Sequence, residues 1–126
     1  VNGPRSEFWE TVERIRAVDG RYARDAYPFV MDSLDFTMKQ MGVRRHVSAA
    51  ELVRGLCDNA KQRFGLFAFT VLAKWGLEKS DDVGEVVFQL IDAGVLSKRE
   101  GDARADFNGV VDFREALEAS SLESSE

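Results

Sequence analysis

Apolar residues recur along this chain at the three- and four-residue intervals of a helix, and glycines at 20, 42, 76 and 94 close the runs. Phe8, Val12 and Ile15 mark one face of a first helix, with Ser6 as its expected cap and Glu7 and Glu10 near its positive end. Gly20 is expected to end it in the left-handed conformation. Asp25 is expected to open a second helix, with Pro28 in the first turn, where its missing N–H is tolerated. Its stripe is Tyr27, Val30, Met31, Leu34, Met38 and Met41, and Phe29 and Phe36 add an adjoining face, so this helix is expected to pack on two sides.

Ser48-Ala49-Ala50-Glu51 is a capping box and the clearest helix start in the chain. Leu52, Val53, Leu56, Ala60 and Phe64 carry the apolar face that follows. A mid-helix Gly costs about 1 kcal/mol relative to Ala, so Gly65 is read as a break before a run in which Phe67, Val71, Leu72 and Trp75 form a buried stripe. Ser80, Asp81 and Asp82 each offer a cap for the next helix, and Asp82 with Glu85 has the capping-box spacing. Val83, Val86, Val87, Leu90 and Ile91 are its apolar positions. Between Val95 and Val111 two patterns compete: a short hairpin turning at Asn108-Gly109, or an irregular loop with a helical turn from Ser97. Asp112 and Glu115 mark a last short helix to about Ala119.

The expected fold is therefore mainly α: one irregular bundle of five or six helices over residues 6–118, with a two-stranded hairpin near the C-terminal end as the alternative for one segment. Residues 1–5 are read as a trimmed or disordered start and 119–126, Ser and Glu with one Leu, as a disordered tail. At 126 residues the chain can bury a core of its own. A single Cys excludes an internal disulfide, and no apolar run is long enough to span a membrane, so a cytoplasmic protein is expected. Nine Phe and two Trp supply apolar surface for a homodimer.

Net charge is −5, yet Lys39, Arg44, Arg45, His46 and Arg54 cluster around one connection, opposed there by Glu51. Cations just before a helix N-terminus favour anions, because the free N–H groups and the helix dipole add to their charge. Arg44, Arg45, His46 and Ser48 are the candidate binding residues. His46 alone has the side-chain type suited to acid–base work near neutral pH, but no second His accompanies it. Cys57 lies among Val53, Leu56 and Ala60 and is read as a small core residue. Trp9, Tyr22, Tyr27 and Trp75 have spacings that suit core packing better than an aromatic docking surface.

Residues 104–115 match an EF-hand loop at positions 3, 5, 6, 8, 9 and 12, but Arg104 stands where the first acidic ligand is required. A turn followed by a capped helix explains the same residues, and no metal or cofactor is expected. A winged-helix arrangement over Val83 to Phe113 would present a helix carrying Asp81, Asp82, Glu85 and Asp92 and no cation to nucleic acid, which argues against duplex binding.

Arg21-Tyr22, Ala26-Tyr27, Phe29-Val30, Arg45-His46-Val47-Ser48, Phe64-Gly65, Trp75-Gly76, Val87-Phe88, Asp106-Phe107 and Asp112-Phe113, in that order, resemble the Minf-type family of small uncharacterised bacterial proteins. The resemblance runs from about Glu7 to Leu117 and implies a single-domain bacterial cytosolic protein, with no activity or ligand to carry over. Taken together, these features point to a non-enzymatic binding or adaptor module that meets a protein partner or an anionic ligand through Arg44, Arg45 and His46. The alternatives are a small hydrolase or transferase using His46 with a neighbouring carboxylate, and a winged-helix-like nucleic-acid binder.

Overall fold

The computed structural model describes residues 4–42 and 46–119. Five α-helices follow in order: α1 (Pro4–Val18), α2 (Ala26–Met41), α3 (Ala49–Phe64), α4 (Ala68–Lys74) and α5 (Ser80–Asp92). A 3₁₀ turn at Gly65–Phe67, another at Arg104–Phe107 and a π-helical turn at Glu115–Ala119 complete the regular structure. The protein is a mainly α bundle, and no strand occurs among the described residues. The segment after α5 is thus an irregular loop, with its helical turn at Arg104–Phe107 rather than from Ser97. No described helix is long and apolar enough to cross a membrane.

Several local expectations hold because both partners are close in sequence. Ser48 N–H donates to Glu51 Oε1 at 2.9 Å and Glu51 N–H donates to Ser48 Oγ at 3.1 Å, closing the capping box. Gly42 (φ 70°), Gly76 (φ 95°) and Gly94 (φ 83°) take the left-handed conformation after their helices. Gly65 (φ 54°) breaks the chain between α3 and its 3₁₀ turn, as its helix-weakening character suggests. Glu115 N–H donates to Asp112 Oδ1 at 3.1 Å, the expected cap of the final turn.

Other caps differ. α1 begins at Pro4, upstream of the expected cap Ser6, with the proline in a first turn that needs no N–H from it. Gly20 is not left-handed; the chain leaves α1 at Val18, and Asp19 Oδ1 accepts the Arg21 N–H at 3.1 Å to make the turn instead. Asp25 stands before α2 without a side-chain cap, since Ala26 N–H and Tyr27 N–H donate to the carbonyls of Ala23 and Arg24. At α5 the helix starts at Ser80, and Asp82 reaches back: its Oδ2 accepts N–H bonds from Glu78 at 3.0 Å and Lys79 at 3.1 Å. Asp82 is therefore the third helical residue, not the opener of a box with Glu85.

The core lies between α2, α3 and α5, joined by Val12 of α1, Leu72 of α4, and Leu77, Phe107, Phe113 and Leu117 from the connections. On α2 the buried face is Ala26, Tyr27, Phe29, Val30, Ser33 and Thr37, whereas Met31, Leu34, Met38 and Met41 are half-buried. The face turns toward small residues because Gly55 of α3 abuts Thr37, letting the two helices close together. Asn59 on α3 secures the same seam, donating to Asp32 Oδ2 at 3.0 Å and Ser33 Oγ at 3.1 Å. Phe29, Phe64 and Trp75 form one aromatic cluster, with centroids 5.5 to 5.8 Å apart. Phe67 is not part of the buried stripe: Leu72 is buried, but Phe67 is 69% exposed beside Leu66 on the 3₁₀ turn.

Candidate functional site

A cleft of about 230 Å³ opens where α2, α3 and α5 meet the loop that follows α5. Leu34 and Met38 come from α2, Ala49 and Leu52 from α3, Val87, Phe88 and Ile91 from α5, and Leu96, Ala103 and Phe107 from the loop. Its walls are therefore aliphatic and aromatic. Two of the half-buried residues of α2, Leu34 and Met38, thus line a concavity. His46, Ser48, Ser97, Lys98, Asp102 and Asp106 supply the polar groups around it.

The loop holds its shape by local hydrogen bonds. Asp102 N–H donates to Arg99 O at 3.0 Å, while Arg99 N–H donates to Asp102 Oδ2 at 2.8 Å, and Gly101 at φ 95° permits the reversal between them. The next turn repeats the device: Ala103 N–H donates to Asp106 Oδ2 at 3.0 Å. Phe107 is then seated against Gly84 of α5, which has no side chain to oppose it. Farther on, Val110 N–H donates to Ser80 Oγ and Gly109 N–H to Asp81 Oδ1, tying the loop to the start of α5.

Asp102 is held 2.8 Å from His46 Nε2, across the mouth of the cleft from the start of α3. Both side chains keep partial exposure, so the pair is worth at most about 1 kcal/mol of stability. The Arg99 N–H and then His46 hold the Asp102 carboxyl below the usual carboxylate range, against the opposing effect of burial. Sequence alone left His46 without a partner, and the loop supplies one 56 positions later. Nothing local to either residue signals that contact.

Of the four residues singled out in the sequence, His46 and Ser48 line the cleft, and Arg44 and Arg45 lie outside the described residues. The Ser48 hydroxyl oxygen is the α3 cap. Cys57 is elsewhere, buried in the core, where loss of hydration pushes its thiol up to about 12. Tyr22 and Tyr27 are fully buried, as packing spacings suggest, and their hydroxyls donate to Asp82 Oδ1 and Gln89 Oε1. The EF-hand-like residues form no cation cage: Asp106 accepts from Ala103, Asp112 caps the final turn, and Arg104 pairs with Glu85 at 3.4 Å. Among the described residues no group of three or more His, Cys, Asp or Glu could hold a metal ion. No family model, curated protein or solved structure matches the chain.

Proposed function

We propose that this chain is a non-enzymatic binding module, and that its site is the apolar cleft with His46 at the mouth. The observation that carries this is the division of the cleft into aliphatic and aromatic walls and a polar rim, the usual anatomy of a site that buries one part of a ligand and orients another. Arg44 and Arg45, immediately before His46 in the chain, add positive charge to the segment that leads into the rim. An anionic ligand, or an acidic group on a protein partner, suits that balance.

One contact favours a second reading, acid–base catalysis by a hydrolase or transferase: His46 Nε2 lies within hydrogen-bond reach of a carboxylate. Nucleophilic chemistry would need a third group. Ser48 is engaged as a helix cap, and the Cys57 thiol is buried away from the cleft. The winged-helix alternative has no described hairpin to act as a wing. The bacterial cytosolic setting implied by the Minf-type resemblance, and self-association through the exposed Leu66 and Phe67, belong to this proposal and not to its supports.

Calorimetric titration with phenylacetate, an aryl acid small enough for a cleft of about 230 Å³, tests the binding reading. Saturable heat from the folded protein is expected, weakened at least tenfold by Ala103→Trp, which narrows the cleft from the loop side. Absence of saturable binding, or equal binding by the narrowed variant, refutes the site. Turnover of a p-nitrophenyl ester that disappears in His46→Ala would put the catalytic reading in its place.

A further inference from the structure

We infer that residues 97–103 form a strap across the mouth of the cleft, fastened by the His46–Asp102 contact and free to lift when that contact breaks; the control of ligand entry that this gives rests on the cleft as a binding site. The strap has fixed ends. Before it, Val95 N–H and Leu96 N–H both donate to Leu90 O, at 2.9 and 3.3 Å, which holds the chain to the end of α5 after the left-handed Gly94. After it, Phe107 is buried against Gly84, and Arg104 pairs with Glu85 at 3.4 Å and lies over the Phe88 ring, 5.3 Å from its centroid.

Between those ends nothing is anchored in the core. Six of the seven residues are exposed and Asp102 is half-buried, so lifting the segment uncovers little apolar surface. Its hydrogen bonds are local. Arg99 N–H donates to Asp102 Oδ2, Asp102 N–H to Arg99 O, and Lys98 Nζ to the carbonyls of Arg99 and Asp102, all of which travel with the tip when it moves as a unit. Ala103 N–H donates to Asp106 Oδ2 at the far hinge. Among the described residues, His46 is the one group outside the loop to which the strap is bonded, through Asp102 at 2.8 Å.

That fastening is light. A pair whose members are both partly exposed is worth at most about 1 kcal/mol, a factor of about five in the population of the open form. Segments held this way open far more readily than a bundle unfolds. Ser97, Lys98, Asp102 and Ala103 of the strap line the cleft, and so do Leu52 of α3 and Val87 of α5, which are 5% and 8% exposed. Access to those two side chains is what the strap controls.

Thiol labelling tests this without any ligand. Val87→Cys puts a thiol on the cleft wall, while the native Cys57, buried in the core away from the cleft, reports global opening of the same molecule. Modification of the full chain by methyl methanethiosulfonate, read at each site by mass spectrometry, is compared with and without His46→Ala. Labelling at position 87 is expected to accelerate about two- to fivefold and labelling of Cys57 to stay the same. No acceleration at position 87, or equal acceleration at both sites, overturns the strap. Phenylacetate then tests its control of entry. Association and dissociation rates, from NMR line shapes, are expected to rise together by that same factor in His46→Ala with Kd unchanged, because a gate acts alike on entry and exit. Unchanged rates, or a weaker Kd carried by dissociation alone, would make His46 no fastener and overturn the inference. If phenylacetate does not bind at all, the cleft fails as its binding site, and the thiol rates still decide whether the strap lifts.

Discussion

Gly84 and Gly55 are single residues on which two helix seams depend. A β-carbon at Gly84 would stand 2.7 to 2.9 Å from Cβ, Cγ and Cδ2 of Phe107, and one at Gly55 would overlap Thr37 Oγ1. Ordinarily Gly→Ala inside a helix gains about 1 kcal/mol, but overpacking costs about 1 to 3 kcal/mol, so contact outweighs propensity at both positions. Gly84→Ala is expected to lower stability by about 1 kcal/mol net, read as a reduced urea midpoint with unchanged m-value. A Gly84→Ala protein as stable as the parent would mean that Phe107 is not seated as described. Phe107 also lines the cleft, so the same substitution should disturb ligand binding more than a remote change of equal cost.

At the scale of elements, α3 and α5 begin with different kinds of cap. Ser48 and Glu51 satisfy each other within four residues, and Ser48→Ala removes an ordinary cap worth about 1 kcal/mol. Asp82 does more: one oxygen receives Glu78 and Lys79 N–H, and the other receives the hydroxyl of the fully buried Tyr22 at 2.8 Å. Asp82→Ala loses the cap and strands that hydroxyl, at about 1 to 3 kcal/mol for the latter, so it should cost about 2 to 4 kcal/mol in denaturant unfolding, clearly more than Ser48→Ala. Equal losses would show that the Tyr22 bond contributes nothing. The contrast also explains which elements were legible in the sequence. Helical period, the Ser48 box and the left-handed glycines at 42, 76 and 94 are encoded within a few residues, and five helices follow from them. Asp82 was visible as a cap, but its register was set by Tyr22, 60 positions earlier. The loop after α5 kept two patterns open because its outcome depends on Phe107 finding Gly84 and on Val110 finding Ser80, contacts between separate elements. His46 was singled out for its chemistry, while Lys98 and Asp102 became site residues only when that loop folded back over α3.

For the whole molecule, the core holds three groups that must stay protonated to remain there. Loss of hydration raises the Cys57 thiol and the Tyr27 hydroxyl to about 12 each, and it raises Tyr22 as well, with the Asp82 carboxylate adding to the effect. The unfolded chain ionises the same groups near their ordinary values of 9.0 for the thiol and 10.0 for the tyrosines, so it releases protons first as pH rises. Their contribution to stability is full below about pH 9. Above it, each group that is ionised only in the unfolded chain steepens the loss by about 1.4 kcal/mol per pH unit, continuing toward the folded values. Thermal unfolding followed by circular dichroism should therefore show a melting temperature that declines from pH 9 and declines faster beyond pH 10. Tyr27→Phe removes one ionisable group, at the cost of leaving Gln89 Oε1 without its donor, and should make the alkaline decline shallower even though the variant starts less stable. That difference in slope separates protonation from mere damage to packing, and identical slopes in parent and variant would show that Tyr27 takes no part in the alkaline loss.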